Sequence, residues 1–340
     1  MYRAKKFLVL LLIMLPLSVF AQAKVGTTVL SFLKVGISAR AVGIGAFTAV
    51  SDDASALFYN PAGLIQVRRP EATFSYINYP ADIQFVSLGG VYPMRTLSGV
   101  FGVQIVSVST DQMDETTVEM PYGTGRTFTA SDLAAGISYS QRLTDKFSVG
   151  ANLKLLNERL ADVPATGWSA DVGTFYATGW KRINIGMVIQ NFGSDIKFHD
   201  EGEPLPISFK FGTSWVAYDK GMYQLKVSGE FVHPNDNLEV YIIGTELDIM
   251  KMISFRMGKR INAWQRDSWS DYQEDRSSHD PFVEYPVIDE DGGLTLDGFS
   301  FGMGLNVVEV GVTVDYAWAR LGTLGAVHRF SLGYKMPGLF

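Results

Sequence analysis

Few residues in this chain have the type and spacing to do chemistry. The adjacent carboxylates of Asp52 and Asp53 could share a proton or contribute to a cation site. They follow Ser51, a good N-cap, where the first turn of a short helix favours acids in any case, and the rest of a ligand set is missing. The run Asp289-Glu290-Asp291-Gly292 hints at Ca²⁺ but lacks EF-hand spacing. Gly43 and Gly45 lack the third glycine and the strand–helix setting of a dinucleotide fingerprint. The four histidines, His199, His233, His279 and His328, lie far apart, and cysteine is absent. That absence excludes thiol catalysis, disulfide staples, c-type haem attachment and a lipidated N-terminal cysteine. No Ser/His/Asp or paired-Glu arrangement stands out, so neither an enzyme nor a cofactor is expected.

One long stretch rises above this background. Between Asn262 and Asp297 ten acids stand against two bases, interleaved with Trp264, Trp269, Tyr272, Phe282 and Tyr285. The aromatics favour contact with a partner, whereas the clustered acids favour a solvated or cation-binding loop. The formal net charge of −6 is dominated by this stretch, and nothing favours nucleic acid.

The elements that must carry these residues have a clear rhythm. From Glu71 onward the chain reads as fourteen segments alternating apolar and polar residues, with predicted bounds 71–79, 83–93, 98–108, 131–142, 147–158, 168–179, 182–192, 206–218, 222–232, 237–247, 251–260, 298–307, 309–320 and 327–335. Most are 9–12 residues long, near what a tilted strand needs to cross a bilayer. Connections after even-numbered segments are short, with almost nothing near Val308. Several after odd-numbered ones are long: Ser109–Ala130, Arg159–Gly167, Gly193–Leu205 and Ile261–Asp297. Short periplasmic turns and longer outer loops give this asymmetry in bacterial barrels.

Alternation alone fits a soluble sandwich equally well. The aromatics break the tie. Tyr92, Tyr139, Phe147, Tyr176, Trp180, Trp215, Tyr218 and Tyr223 fall near the short-turn ends, and Tyr79, Phe85, Trp168, Phe192, Phe231, Tyr241 and Trp318 near the other. Two girdles around an aliphatic band are what a bilayer imposes. The N-terminus agrees, with basic Arg3, Lys5 and Lys6, an apolar run Phe7–Phe20, and the cleavage signal Ala21-Gln22-Ala23. The expected class is therefore all-β: a fourteen-stranded antiparallel transmembrane β-barrel in a Gram-negative type outer membrane, preceded by a signal peptide over 1–23.

Residues 24–66 are different in kind: small, Gly- and Ala-rich, with a short helix predicted from Ser51 to about Asn60-Pro61. Here Ser38-Ala39-Arg40-Ala41-Val42-Gly43-Ile44-Gly45-Ala46-Phe47-Thr48-Ala49-Val50, followed by Asp52-Asp53-Ala54-Ser55-Ala56-Leu57-Phe58-Tyr59-Asn60-Pro61-Ala62-Gly63-Leu64, resembles the N-terminal signature of the PorV/PorQ family, relatives of the FadL long-chain fatty-acid channels. Gly43-Ile44-Gly45-Ala46 is a reduced form of that family's usual glycine run.

The resemblance implies a partly helical hatch, 24–66, tucked inside a barrel spanning 67–340. Fourteen strands enclose more lumen than wall side chains can fill, so a compact plug is physically reasonable. Asp52, Asp53, Asn60, Pro61 and Gly63 are then expected to shape the hatch and to border any ligand path. The lumen charges Lys154, Asp171, Lys210, Lys226, Glu230, Arg256 and Asp315 mix signs and are expected to pair with one another or with the hatch.

The resemblance further implies a non-enzymatic component of type IX-like protein secretion or surface attachment. Its partners would be outer-membrane lipid and secretion-apparatus or exported cargo proteins, with the aromatic acidic loop as contact surface. The alternative is a FadL-like channel for hydrophobic small molecules. The terminal Phe340 is typical of such barrels, yet Pro337-Gly338 predicts that the last strand stops near Met336.

Overall fold

The computed structural model describes residues 26–94, 98–161, 163–197, 202–262 and 296–336. Fourteen strands close into one antiparallel barrel in chain order. They are β1 Glu71–Tyr79, β2 Ile83–Met94, β3 Gly99–Ser109, β4 Ala130–Arg142, β5 Phe147–Leu160, β6 Val163–Ala177 and β7 Ile183–Gly193. The second half comprises β8 Ser208–Lys220, β9 Tyr223–Pro234, β10 Val240–Ile249, β11 Ile253–Asn262, β12 Phe299–Val307, β13 Val312–Arg320 and β14 Ala326–Lys335. Closure is made by β1 on β14, with Phe74 opposite Leu332 and Ser75 opposite Ser331. No edge strand is left unpaired, which is how a sheet survives in lipid.

The period-2 pattern sorts side chains across the wall. Val103, Ile105, Leu153, Leu155 and Ile243 point outward and are exposed, Leu155 by 68%, while Gln104, Asn152, Lys154 and Glu246 on the same strands are buried inside. A continuous apolar outer band around a polar interior is the reverse of a soluble sandwich and suits a bilayer. Tyr92, Tyr176, Trp180, Trp215, Tyr218 and Tyr223 are exposed at the short-turn rim, and Trp168, Phe192 and Tyr241 at the opposite one.

Residues 26–66 fill the bore. The segment contains a 3₁₀ turn Ser31–Lys34, helix α1 Ala39–Ile44, helix α2 Ala56–Tyr59 and a 3₁₀ turn Pro61–Gln66. The Ser38 hydroxyl caps α1 by accepting from Ala41 N at 3.5 Å, and Gly45, at φ +79°, ends it. Asn60 plays the same part for the last turn, its Oδ1 accepting from Ala62 N at 3.1 Å with Pro61 as the first helical residue.

Wall glycines admit this segment. A Cβ at Gly244 or Gly258 would meet the Ile44 carbonyl, one at Gly150 the Pro61–Ala62 backbone, one at Gly173 the Asn60 side chain, and one at Gly186 the Thr48 carbonyl. Backbone therefore packs on backbone, which only glycine allows. Apolar layers complete the fit. The outer one joins Leu30, Phe32 and Ile37 to Ile77, Phe85, Val106, Leu156 and Val327 of the wall. A deeper one joins Leu57 and Leu64 to Val91 and Val100.

Four expectations need correction. The long loop over Arg159–Gly167 does not exist: β5 and β6 continue until Leu160 pairs with Val163, and Ala161 turns the chain at φ +52°. Pro164 and Gly167 sit within this ladder, where Gly167 makes room for Ile196. Phe85 belongs to the inner apolar layer, not to a girdle, and Tyr79 packs beside it. The connection near Val308 is a turn between Val307 and Val312, closed by Gly311 at φ +72°.

The helix predicted from Ser51 is reduced to Ala56–Tyr59. Its expected cap turns back to donate to Phe47 O at 2.8 Å, because the acids meant for its first turn are drawn to Arg40 instead. The last barrel strand does stop at Lys335, just before Met336. The signal segment 1–23, His199, His279, Phe340 and the loop aromatics Trp264, Trp269, Tyr272, Phe282 and Tyr285 lie outside the described residues.

Candidate functional site

The centre of the lumen is a buried ionic junction between hatch and wall. Arg40, on α1, grips Glu246 of β10 with two parallel hydrogen bonds: Nε to Oε2 and Nη2 to Oε1, each 2.9 Å. Its remaining arm, Nη1, reaches Asp52 Oδ1 and Asp53 Oδ2, both at 2.5 Å. Glu246 also takes Lys226 of β9 at 2.9 Å and Arg256 of β11 at 2.7 Å, and Arg256 continues to Asp315 of β13 at 2.6 Å. Bidentate guanidinium–carboxylate pairing fixes direction as well as charge, so the junction sets how α1 sits in the barrel. Burial works against the charge on Asp52, but Arg40 and Lys226 outweigh it and hold this carboxyl well below its ordinary range.

Other contacts repeat the theme of wall side chains satisfying hatch backbone. Glu230 of β9 accepts from Phe47 N and Thr48 N at 2.9 and 2.8 Å. Ser331 accepts from Ala39 N at 2.8 Å, at the start of α1. Asn60 donates through Nδ2 to Thr48 O and to Thr174 O of β6. At the outer mouth, Asp236 accepts from Lys34 at 2.6 Å and from the Thr28 hydroxyl at 2.5 Å. Buried backbone polar groups need such partners, and a non-sheet segment in a lumen must find them on the wall.

Three spaces open around the hatch, one of them about 370 Å³ between Asp52, Gln66, Lys226 and Trp215. On the short-turn side lies a polar vestibule of about 230 Å³ containing Arg40, Asp52, Asp53, Glu246 and Asp315. Nearer the outer mouth is a smaller chamber of about 50 Å³ between Phe32, Leu33, Val35, Ile37 and Phe58 of the hatch and Val106 and Ala134 of the wall. Its inner end is polar, made by Gln104, Lys154, Asp171, Gln190 and Asn191. Beside it the β6–β7 ladder slips register between Ala170 and Val172, and Asn191 adopts φ +60°.

The predicted residues divide accordingly. Asp52 and Asp53 come together on Arg40. Asn60 and Pro61 form the turn that docks on β5 and β6, and Gly63 packs so closely on Ser51 that a Cβ would strike it. Among the predicted lumen charges, Lys154 pairs with Asp171 at 2.8 Å, while Lys226, Glu230, Arg256 and Asp315 make the contacts described above. His233 meets Glu239 at 3.2 Å and His328 meets the Tyr316 hydroxyl at 2.7 Å, both away from the junction. Among the described residues no three His, Cys, Asp or Glu side chains converge as for a metal.

Sequence reasoning passed over Glu246 and the part played by Arg40. Glu246 was signalled by its place between Gly244 and Asp248 on the lumen face of β10. Arg40 stood inside the quoted signature without a partner to suggest its role.

Fold and lumen together define a fourteen-stranded barrel whose bore is filled by its own N-terminal hatch. No protein-family model matches the chain, and no curated protein matches it by sequence. Solved structures do. The toluene transporter TbuX of Ralstonia pickettii superposes with a TM-score of 0.56 at 12% identity, covering 89% of this chain and 99% of that one. The CymD monoaromatic hydrocarbon channel gives a TM-score of 0.58 at 13% identity over 90% and 99% of the two chains. A FadL homologue from Pseudomonas aeruginosa gives 0.51 at 12% over 88% and 100%. At this identity the likeness establishes the fold.

Proposed function

We propose that this chain is an outer-membrane channel of FadL-like type that takes up small hydrophobic molecules. The observation that carries the reading is the chamber between Phe32, Leu33 and Phe58 of the hatch and Val106 and Ala134 of the wall, apolar at one end and polar at the other. Ligand pockets combine apolar walls with a few polar groups that fix orientation, and this chamber offers both. At about 50 Å³ it holds only a few water-sized volumes, so passage requires the hatch to yield. The structural neighbours TbuX and CymD, a toluene transporter and a monoaromatic hydrocarbon channel, support the same class of cargo. Uptake of a labelled monoaromatic or fatty acid into lipopolysaccharide-containing vesicles bearing the barrel tests it; uptake no faster than into empty vesicles removes the reading. Sequencing the purified protein should give Lys24 as the first residue after signal cleavage.

A second reading is favoured by the resemblance of residues 38–64 to the PorV/PorQ signature and by the ionic junction that ties the hatch to the wall. In that case the barrel is a scaffold in type IX-like secretion, meeting apparatus or cargo proteins through Trp264, Trp269, Tyr272, Phe282 and Tyr285. Deletion of 262–297 would then abolish cargo export. Unchanged export and partner capture would exclude that surface.

A further inference from the structure

The polar end of the outer chamber has a chemical bias, and reading it presupposes the small-molecule channel proposed above. Its charges are already satisfied. Lys154 is held by Asp171 at 2.8 Å and by Asn191 Oδ1 at 2.6 Å. Asp171 in turn accepts from Asn152 Nδ2 at 2.9 Å and from Asn191 N at 2.8 Å. Gln190 spends its amide on Phe58 O and Tyr59 O, at 3.1 Å each. Lys154 keeps one N–H free, with the Asp171 carboxylate beside it.

What remains unpaired is the Gln104 side-chain amide, with the Asn152 oxygen near it. Gln104 Oε1 and Asn152 Oδ1 are buried without a hydrogen-bond partner, on residues only 5% and 2% exposed. They stand on β3 and β5 on either side of Gly136 of β4, which is opposite Gln104 in one ladder and opposite Lys154 in the other. A Cβ at Gly136 would lie 3.0 Å from Asn152 Oδ1, 3.0 Å from Lys154 Cγ and 3.1 Å from Gln104 Nε2, so the three side chains close over the glycine and stand near one another. Gln104 also lines the chamber. Buried acceptors left unpaired are costly and ask for a donor.

We infer that the chamber selects molecules with an apolar body and a hydroxyl group, the hydroxyl hydrogen-bonding to the Gln104 side-chain amide, over plain hydrocarbons. A hydroxyl supplies the missing donor, and its oxygen can in turn accept from the free third N–H of Lys154. A hydrocarbon leaves the acceptors unpaired.

Three matched probes test this on the full-length barrel in lipid nanodiscs: 4-fluorophenol, fluorobenzene and 4-fluorobenzoate, read by ¹⁹F line broadening with empty nanodiscs subtracted. The expected result is 4-fluorophenol binding about tenfold tighter than fluorobenzene, the worth of one hydrogen bond at a buried acceptor. Gln104→Leu should erase that preference while fluorobenzene binding stays unchanged. Gln104→Glu, which keeps an acceptor, should retain it and guards against a folding defect in the leucine variant. Equal binding of the phenol and the hydrocarbon to the unaltered protein would overturn the inference and leave the channel reading standing, with water satisfying the acceptors. Binding of none of the three would remove the channel reading itself.

Discussion

Arg40 and Glu246 meet through two hydrogen bonds of 2.9 Å, one residue on the hatch and the other on the barrel wall, 206 positions apart in the chain. This pair joins the two parts of the molecule at the point where both would otherwise carry a buried charge. Its geometry explains why the hatch is oriented as well as contained. Replacing Glu246 by Gln leaves Arg40, Lys226 and Arg256 short of one shared negative charge. Removing one partner of a buried pair costs ~3–5 kcal/mol. The barrel of Glu246→Gln should therefore unfold at lower denaturant and, in planar bilayers, pass more current than the unaltered protein.

The wall glycines give a second, purely steric prediction. Gly150→Ala places a methyl group against the Pro61–Ala62 backbone, whereas Gly90→Ala meets nothing nearer than Val103 at 3.6 Å. Overpacking of this kind costs ~1–3 kcal/mol. Gly150→Ala should lower the heat-modifiability midpoint on gels, and Gly90→Ala should leave it within error.

Lipid contact makes the third. Leu153 is 48% exposed on the outward face at the middle of β5. An arginine at the bilayer midplane of such a barrel costs ~2–4 kcal/mol, against almost nothing on a water-exposed sheet face. Leu153→Arg should show that loss in unfolding from lipid vesicles.

The fourth concerns pH. Asp52 is held below its ordinary range by Arg40 and Lys226 against the opposing effect of burial. A depressed folded-state value means that its contribution is fully present above the unfolded value of 3.8 and is lost only as pH falls through the lower folded value. Hatch attachment, followed by bilayer conductance, should stay constant from neutral pH down to about 4 and weaken only in stronger acid. In Asp52→Asn the acid-linked part of that loss should be smaller.

Much of this architecture was legible in the sequence because a barrel repeats one rule. Alternation along each strand, as in Val103-Gln104-Ile105, assigns every side chain to lipid or lumen, and neighbouring strands follow the same rule. The hatch was legible as a compact, small-residue segment. Its partners were not, because Arg40 and Glu246 are brought together only by closure of the barrel, and no local pattern encodes a pair so far apart. The loop expected over Arg159–Gly167 failed for a related reason. Pairing of this stretch with β5 and the packing of Ile196 against Gly167 decide the outcome. The glycines at 150, 173, 186 and 244 could be counted beforehand, but their meaning depended on what lay against them.

The central claim is that small hydrophobic molecules pass by displacement of this hatch, and a reversible lock tests it most directly. A Cβ at Gly212 would lie 3.5 Å from Ala49 Cβ, within disulfide range, and the chain has no cysteine of its own to interfere. In Ala49→Cys/Gly212→Cys, uptake of a labelled monoaromatic into lipopolysaccharide-containing vesicles should be abolished when the pair is oxidised and should return on reduction. Uptake that is equal in the oxidised and reduced states, or never above that of empty vesicles, would contradict the account.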